Sequence, residues 1–251
     1  MAAKNKFMNA MKMPAIADMF SSEADRQRES GDLVTVVPLS ELHPFVNHPF
    51  EVRDDEDMQK LVDSIKENGV LTNLTVRPRA EGGYEIISGH RRFHAAQLAG
   101  LDKIKVQVRN VDDDQAIIDM VDANIQREHI SPMEKARALK MKNEAMKRSA
   151  GRRKENGCQL DTHFPEAKTA TQIGADVGES PKQIFRYIRL TNLVPELLDM
   201  VDEKKIAFNP AVELSYLDES QQRDFLEAMN DTQNAPSLSQ AQRLKKLAQE
   251  G

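Results

Sequence analysis

Two adjacent arginines stand in the segment ISGHRRFHAAQLAG, residues 87–100, at a place where a helix disfavours cations. Tyr84–Ile87 reads as a short apolar strand and Ser88-Gly89 as a turn. Ala95, Ala96, Leu98 and Ala99 then continue as a helix that Gly100 stops. With Ser88 as the expected N-cap, Arg91 and Arg92 fall in the first turn. There the unpaired N–H groups and the positive end of the helix dipole oppose a guanidinium. Two resolutions make chemical sense. An anion can sit on the turn, because backbone N–H groups and guanidinium forks converge on phosphate. Alternatively the arginines pair with surface carboxylates such as the Asp112–Asp114 run.

A second constellation lies downstream. Thr169-Ala170-Thr171-Gln172 has capping-box spacing and is expected to open a short helix carrying Ile173 and Val177. Gly178-Glu179 makes a turn, and Ser180-Pro181 supplies an N-cap and an N1 proline for a second helix, SPKQIFRYIRLTNL. Ile184, Ile188 and Thr191 form its apolar stripe; Lys182, Arg186 and Arg189, with Gln183 beside them, form the expected exposed one. This is the pattern of a helix-turn-helix. Gln183 and Arg186 could reach base edges, and Lys182 and Arg189 phosphates. The expected DNA-contacting set is Thr171, Gln172, Ser180, Lys182, Gln183, Arg186, Tyr187 and Arg189. An ordinary helical hairpin with a solvated basic face would read the same way. The basic run Lys140, Lys142, Lys147, Arg148, Arg152, Arg153, Lys154 just upstream favours DNA, since phosphate contacts carry most of the affinity.

Other chemistries have less support. His90 and His94 lie four apart, but His43, His48, His129 and His163 do not complete zinc spacing, and the single cysteine, Cys158, is remote in sequence. No Ser/His/Asp arrangement can be argued. One cysteine excludes an internal disulfide and implies a reducing compartment, and no segment approaches 18 consecutive apolar residues, so the expectation is a cytoplasmic protein without a membrane span.

These residues need elements to position them. The chain has 251 residues, 30% charged and 39% hydrophobic, with no Trp, which fits small units with modest cores. Net charge is -5, so any basic surface must be local. Residues 1–32 are polar and weakly basic and read as a flexible tail. From Leu33 to about residue 127 short strands alternate with helices: strands Val34–Val37, Leu74–Val76, Tyr84–Ile87 and Ile104–Val108, and helices Asp57–Asn68 and Arg91–Ala99. Asp112–Asp114 caps a helix with Ile117, Ile118, Met120 and Val121, and Ser131-Pro132-Met133-Glu134 is a capping box opening a long one. Residues 150–164 read as a linker. Beyond it the pattern is helical, broken at Pro195, Pro210 and Pro236. The expected architecture is an α+β domain over 33–127, an all-α helix-turn-helix domain over 128–234, and a C-terminal helix within 235–251.

GVLTNLTVRP, ISGHRRFHAAQLAG and NIQREHISPMEKARA, followed by the helix-turn-helix, together resemble the ParB partition family in order and spacing, over roughly residues 33–217. The resemblance implies a CTP site: Gly89, His90, Arg91 and Arg92 would hold the triphosphate. Asn124 would stand at the Mg²⁺, with Gln126 and Arg127 close by. It also implies double-stranded DNA as ligand, a homodimer, and a ParA-type ATPase met by the N-terminal tail, with Arg26 or Arg28 as a possible arginine finger. Two positions depart from the family, which often has Glu where this chain has His90 and Glu where it has Ala123. Asp122 would point about 100° away on a helix, so weak CTP hydrolysis is the most expected. Many members also carry a further dimerisation domain, where this sequence has one short helix, Ser237–Gln249. The expected function is a ParB-type segregation protein. Transcription regulation on the same frame is an alternative, and a nucleotide-using kinase or nuclease a weaker one.

Overall fold

The computed structural model describes residues 33–127, 130–154, 165–232 and 234–250. Its first half is built on a five-stranded mixed sheet. The strands are β1 (Leu33–Pro38), β2 (Leu42–His43), β3 (Leu74–Pro78), β4 (Tyr84–Ser88) and β5 (Lys103–Val108), in the order β1-β5-β3-β4-β2. β1 runs antiparallel to β5 and β3 antiparallel to β4, while β5 with β3 and β4 with β2 are parallel. Alternation explains the faces: Leu74, Val76, Ile104 and Val106 turn inward with Ile86, and Phe93 and Ala96 of a helix close over them. The two-residue strand β2 was not legible in the sequence, because it is too short to carry a period.

Two helices cover this sheet. α1 (Glu56–Asn68) is capped by Asp55, whose carboxylate accepts from Met58 N at 2.8 Å, and it ends at Gly69 with φ 69°. α2 (His90–Leu98) carries the arginine pair. The expected N-cap at Ser88 is corrected here: Ser88 is the last residue of β4, and Gly89 takes the cap position at φ 104° with no side-chain cap. A chain leaving a central strand straight into a helix needs a sharp reversal, and a left-handed residue provides it.

α3 (Asp113–Asp122), capped by Asp112, packs along α4 (Pro132–Lys154). The Ser131/Glu134 box forms reciprocally: Ser131 N donates to Glu134 Oε2 at 2.9 Å and Glu134 N to Ser131 Oγ at 3.1 Å. α4 runs to Lys154, so the expected linker does not begin at 150, and its remainder lies outside the described residues. α5 (Pro165–Val177) already contains Thr169–Gln172, so that segment is mid-helix rather than a capping box. Thr169 instead donates its buried hydroxyl to Asn143 Oδ1 at 2.9 Å. α6 (Pro181–Leu190), α7 (Pro195–Asp202), α8 (Phe208–Leu214), α9 (Glu219–Thr232) and α10 (Leu238–Glu250) complete the chain.

The core is continuous across residue 127. Phe45, Phe50 and Ile87 of the first half join Met120, Val121, Leu139, Ile173 and Ile184 in one apolar cluster. Beside it Lys142, only 1% exposed, gives its ammonium to Asp122 at 2.5 Å and Asp176 at 2.7 Å, tying α3, α4 and α5 together. A separate cluster centred on Leu190, Leu197, Ile206 and Leu214 holds α6 to α10. Among the described residues no helix is long and apolar enough to cross a membrane.

Candidate nucleotide cleft and nucleic-acid interface

The start of α2 forms one wall of a cleft of about 200 Å³. Ser88, Gly89, His90, Arg91 and Arg92 come from the β4–α2 turn, His48 and Val52 from the loop after β2, and Ala123, Asn124 and Arg127 from the end of α3. Residues more than thirty positions apart in sequence thus meet around the bare N-terminus of α2. The Asp112–Asp114 run does not neutralise the arginines, because Asp112 caps α3, Asp113 pairs with Arg77 and Asp114 with Arg148.

Each cation in this wall is held differently. Arg92 Nη1 donates to the carbonyls of Thr72 and Asn73, at 2.5 and 2.9 Å, and burial pushes its pKa down. Arg91 lies 3.5 Å from Asp55 Oδ1 and is partly exposed. Arg127 has no hydrogen bond or ion pair for its guanidinium among the described residues. Its pKa is lowered by burial and by the charge of Arg91, with Glu134 opposing. Arginine stays protonated regardless. Three guanidinium groups therefore converge on a helix N-terminus, an arrangement that an anion stabilises. Gly89 is required by contact as well as conformation: a Cβ there would sit 2.9 Å from Leu74 Cγ and 3.2 Å from Arg92 Nη2.

The histidines are neutral. His90 Nε2 accepts the backbone N–H of Phe45 at 3.3 Å, and its ring lies 3.8 Å from that of His48. Burial, with the nearby His48 and Arg127, pushes its pKa down to about 3. His90 therefore offers the cleft its backbone, while its side chain supports the loop that carries His48. His48 Nδ1 donates to Phe50 O at 2.6 Å, which leaves Nε2 as a buried acceptor with no partner. Sequence reasoning did not find His48. Its only signal, a His-Pro pair in a loop, has no periodicity.

Asn124 turns its amide nitrogen back to Met120 O at 2.8 Å, so its oxygen is the free end. Gln126 is not in the cleft: it is exposed, and its Nε2 donates to Asp176 O at 3.2 Å. Asp122 is not available either, being bound to Lys142. No residue of the cleft wall carries a carboxylate, and no cluster of three or more His, Cys, Asp or Glu able to hold a metal occurs among the described residues. At about 200 Å³ the cleft accommodates phosphate groups rather than a whole nucleotide, since drug-sized sites run to about 300–1,000 Å³.

The second site is the α5-turn-α6 hairpin. Its tight crossing depends on Gly174, where a Cβ would meet Glu179 O at 2.4 Å, and Glu179 N donates to Gly174 O at 2.9 Å. Ser180 caps α6 by accepting from Gln183 N at 3.2 Å. Lys182 is exposed, as are Thr171 and Gln172 on α5. The expected exposed stripe needs correction at Arg186 and Arg189, and Tyr187 of the expected DNA-contacting set is also engaged within the fold. Arg186 donates to Gln183 Oε1 at 3.1 Å and to Asn209 Oδ1 at 2.5 Å, and lies over Phe208. Arg189 lies 3.4 Å from the centroid of the Tyr216 ring. Tyr187 is half-buried between Phe208 and Lys135 and packs against both helical cores. Apart from Gln183 and Lys135, these partners come from α8 and its C-terminal end, more than twenty residues downstream, which no local pattern of α6 could reveal. Lys140, Lys182, Phe185, Arg186, Arg189 and Tyr216 line one shallow hollow of about 610 Å³ along α6. Cations and aromatic edges on an exposed helix beside a tight turn suit a nucleic-acid backbone.

Comparison with known proteins matches a domain family over each half of the chain. The ParB N-terminal domain family matches residues 23–125 and the ParB HTH domain family residues 161–249. The probable chromosome-partitioning protein ParB of Neisseria meningitidis is 29% identical over 219 residues, 87% of this chain and 69% of that protein. The probable chromosome 1-partitioning protein ParB of Deinococcus radiodurans is 38% identical over 185 residues, 74% of this chain and 57% of that protein. The chain thus aligns with roughly 57–69% of the length of these relatives. A solved pNOB8-like ParB N-domain superposes with a TM-score of 0.51 at 15% identity, covering 86% of this chain and 92% of that one, a likeness of fold. With a ParB N-terminal domain and a ParB helix-turn-helix domain matched in that order, this chain belongs to the ParB family.

Proposed function

We propose that this chain is a ParB-type, sequence-specific partition protein of double-stranded DNA, whose hold on DNA responds to a cytidine nucleotide bound at Gly89–Arg92. The observation that carries the reading is the meeting of Arg91, Arg92 and Arg127 at one bare helix N-terminus, on a unit that shares its core with a helix-turn-helix. Backbone N–H groups of α2 and the guanidinium groups would take the phosphates, and Asn124, a residue of the same wall, keeps its amide oxygen outside its one hydrogen bond to Met120 O. The resemblance also implies Mg²⁺ at Asn124. Mg²⁺ is normally held by one or two carboxylates together with substrate phosphates, and among the described residues the wall provides no carboxylate. The residues present do not fit a protein-held Mg²⁺. They also hold no carboxylate to orient water, so CTP turnover would be slow or absent.

On the DNA side, Lys182 and Lys140 would contact phosphates and Arg186, braced by Gln183 and Asn209, would read a base edge. A homodimer on a two-fold site follows from the family. A ParA-type ATPase is the partner expected for residues 1–32, which lie outside the described residues, as do Arg26 and Arg28. Location on the nucleoid or a plasmid follows from the same reading. Genome-wide immunoprecipitation tests it. Broad enrichment spreading from one kind of inverted-repeat site supports partition, whereas sharp peaks confined to promoters would overturn it in favour of a transcription regulator.

A further inference from the structure

We infer that this chain binds its nucleotide as the free polyanion, with guanidinium groups doing at the cleft what a divalent cation would do. The inference rests on the nucleotide reading above and concerns how that site neutralises charge. A hard divalent cation needs several oxygen donors and favours carboxylates. The described wall offers only neutral ones: Asn124 Oδ1, the Ser88 hydroxyl and backbone carbonyls.

Among the described residues, three carboxylates of the neighbouring segments are already committed. Asp55 caps α1 at Met58 N and pairs with Arg91, Asp122 is bound by Lys142, and Glu134 accepts from both Ser131 N and Glu51 N. Releasing any of them would leave a helix cap empty or a buried ammonium with one partner fewer. Meanwhile Arg91 and Arg127 are close enough for the charge of one to lower the pKa of the other. A divalent cation entering this space is repelled, while a triphosphate is attracted and its charge largely offset by three guanidinium groups. The two positions where the family often carries Glu are where this chain differs: Ala123 is a methyl, and His90 is a neutral ring turned to Phe45 N. Substitution of both removes the metal-side charge together, which is coherent with a site that works without the metal. The orphaned Nε2 of His48 remains as an acceptor for a hydroxyl or water accompanying the ligand.

The test is calorimetric titration of CTP into the full chain with cognate DNA present, once in Mg²⁺ and once in excess EDTA. The expected dissociation constants differ by less than about tenfold, the equivalent of roughly 1.4 kcal/mol. Binding that weakens by tenfold or more in EDTA overturns the inference while leaving the nucleotide reading intact. No binding in either condition overturns the nucleotide reading itself. A second arm uses Ala123→Glu, at an exposed position that tolerates the larger side chain. This variant is expected to bind CTP more weakly in EDTA and to recover in Mg²⁺. Affinities identical to wild type in both conditions would show that the missing carboxylate is not what frees the site from metal, and would overturn the argument.

Discussion

Gly89→Ala is the sharpest perturbation of the cleft, and Gly82→Ala supplies its control. Both glycines have positive φ, 104° and 91°, but an added Cβ at Gly82 meets nothing within 4 Å, whereas at Gly89 it meets Leu74 Cγ at 2.9 Å. The conformational cost of a left-handed alanine is about 1–2 kcal/mol, reduced by about 0.4–1 kcal/mol through the less flexible unfolded chain. Gly82→Ala should therefore destabilise by about 1 kcal/mol. At Gly89 the overlap cannot relax outward, because Leu74 is fully buried in the sheet core, and overpacking of this kind adds about 1–3 kcal/mol. The expected total is about 2–4 kcal/mol. The same Cβ presses on the Arg92 guanidinium, so nucleotide affinity should fall further than loss of folded protein explains. Urea denaturation gives the first number, and titration of the folded fraction the second. If Gly89→Ala costs no more than Gly82→Ala, the close approach of turn, Leu74 and Arg92 is not real and the cleft geometry built on it fails.

Three further outcomes are expected. His90 is neutral in the fold with a pKa near 3 and titrates near 6.5 when unfolded, so the unfolded chain binds more protons between those values. Stability should be complete above pH 6.5 and fall by about 1.4 kcal/mol per unit below it, with His90→Gln flattening the slope in denaturation at pH 7, 6 and 5; an unchanged slope would contradict the burial of His90. Lys142→Met should cost about 1–3 kcal/mol, at the low end for a buried charge because the carboxylates of Asp122 and Asp176 are nearly half exposed and can rehydrate; a stabilised variant would mean that the bridge is not formed. In DNA binding, Lys182→Ala should weaken all sequences alike and reduce the salt slope by about one unit. Arg186→Ala should relax preference at one base pair by about 1–3 kcal/mol, and the reverse pattern in a selection experiment would exchange their roles.

What the sequence disclosed and what it withheld differ by range. Caps, N1 prolines and inward alternation are local, so α1, α3, the Ser131/Glu134 box and the Ser180 cap are readable from a few consecutive residues. The motif boxes also name most of the cleft: Gly89, Arg91, Arg92, Asn124 and Arg127 line one space. What is not local was missed. His48 reaches the cleft through a loop, Arg92 is held by carbonyls of Thr72 and Asn73, and Arg186 is braced from α8. Gln126, four residues past the end of α3 in the same box as Asn124, points to α5 instead because the chain turns between them. Thr169–Gln172 satisfied a capping pattern, yet Pro165 had already opened the helix four residues earlier, a stronger start than the box.

The most direct test of the central claim is CTP titration into wild type and the Arg91→Ala/Arg127→Ala variant, with binding to a short duplex followed in parallel. These two arginines make no hydrogen bond within the described fold, unlike Arg92, so their removal separates ligand binding from stability. The expected result is CTP binding by the wild type, its loss in the variant, and unchanged affinity for the duplex. Equal CTP binding by both proteins, or none by the wild type, would contradict a nucleotide site at the start of α2.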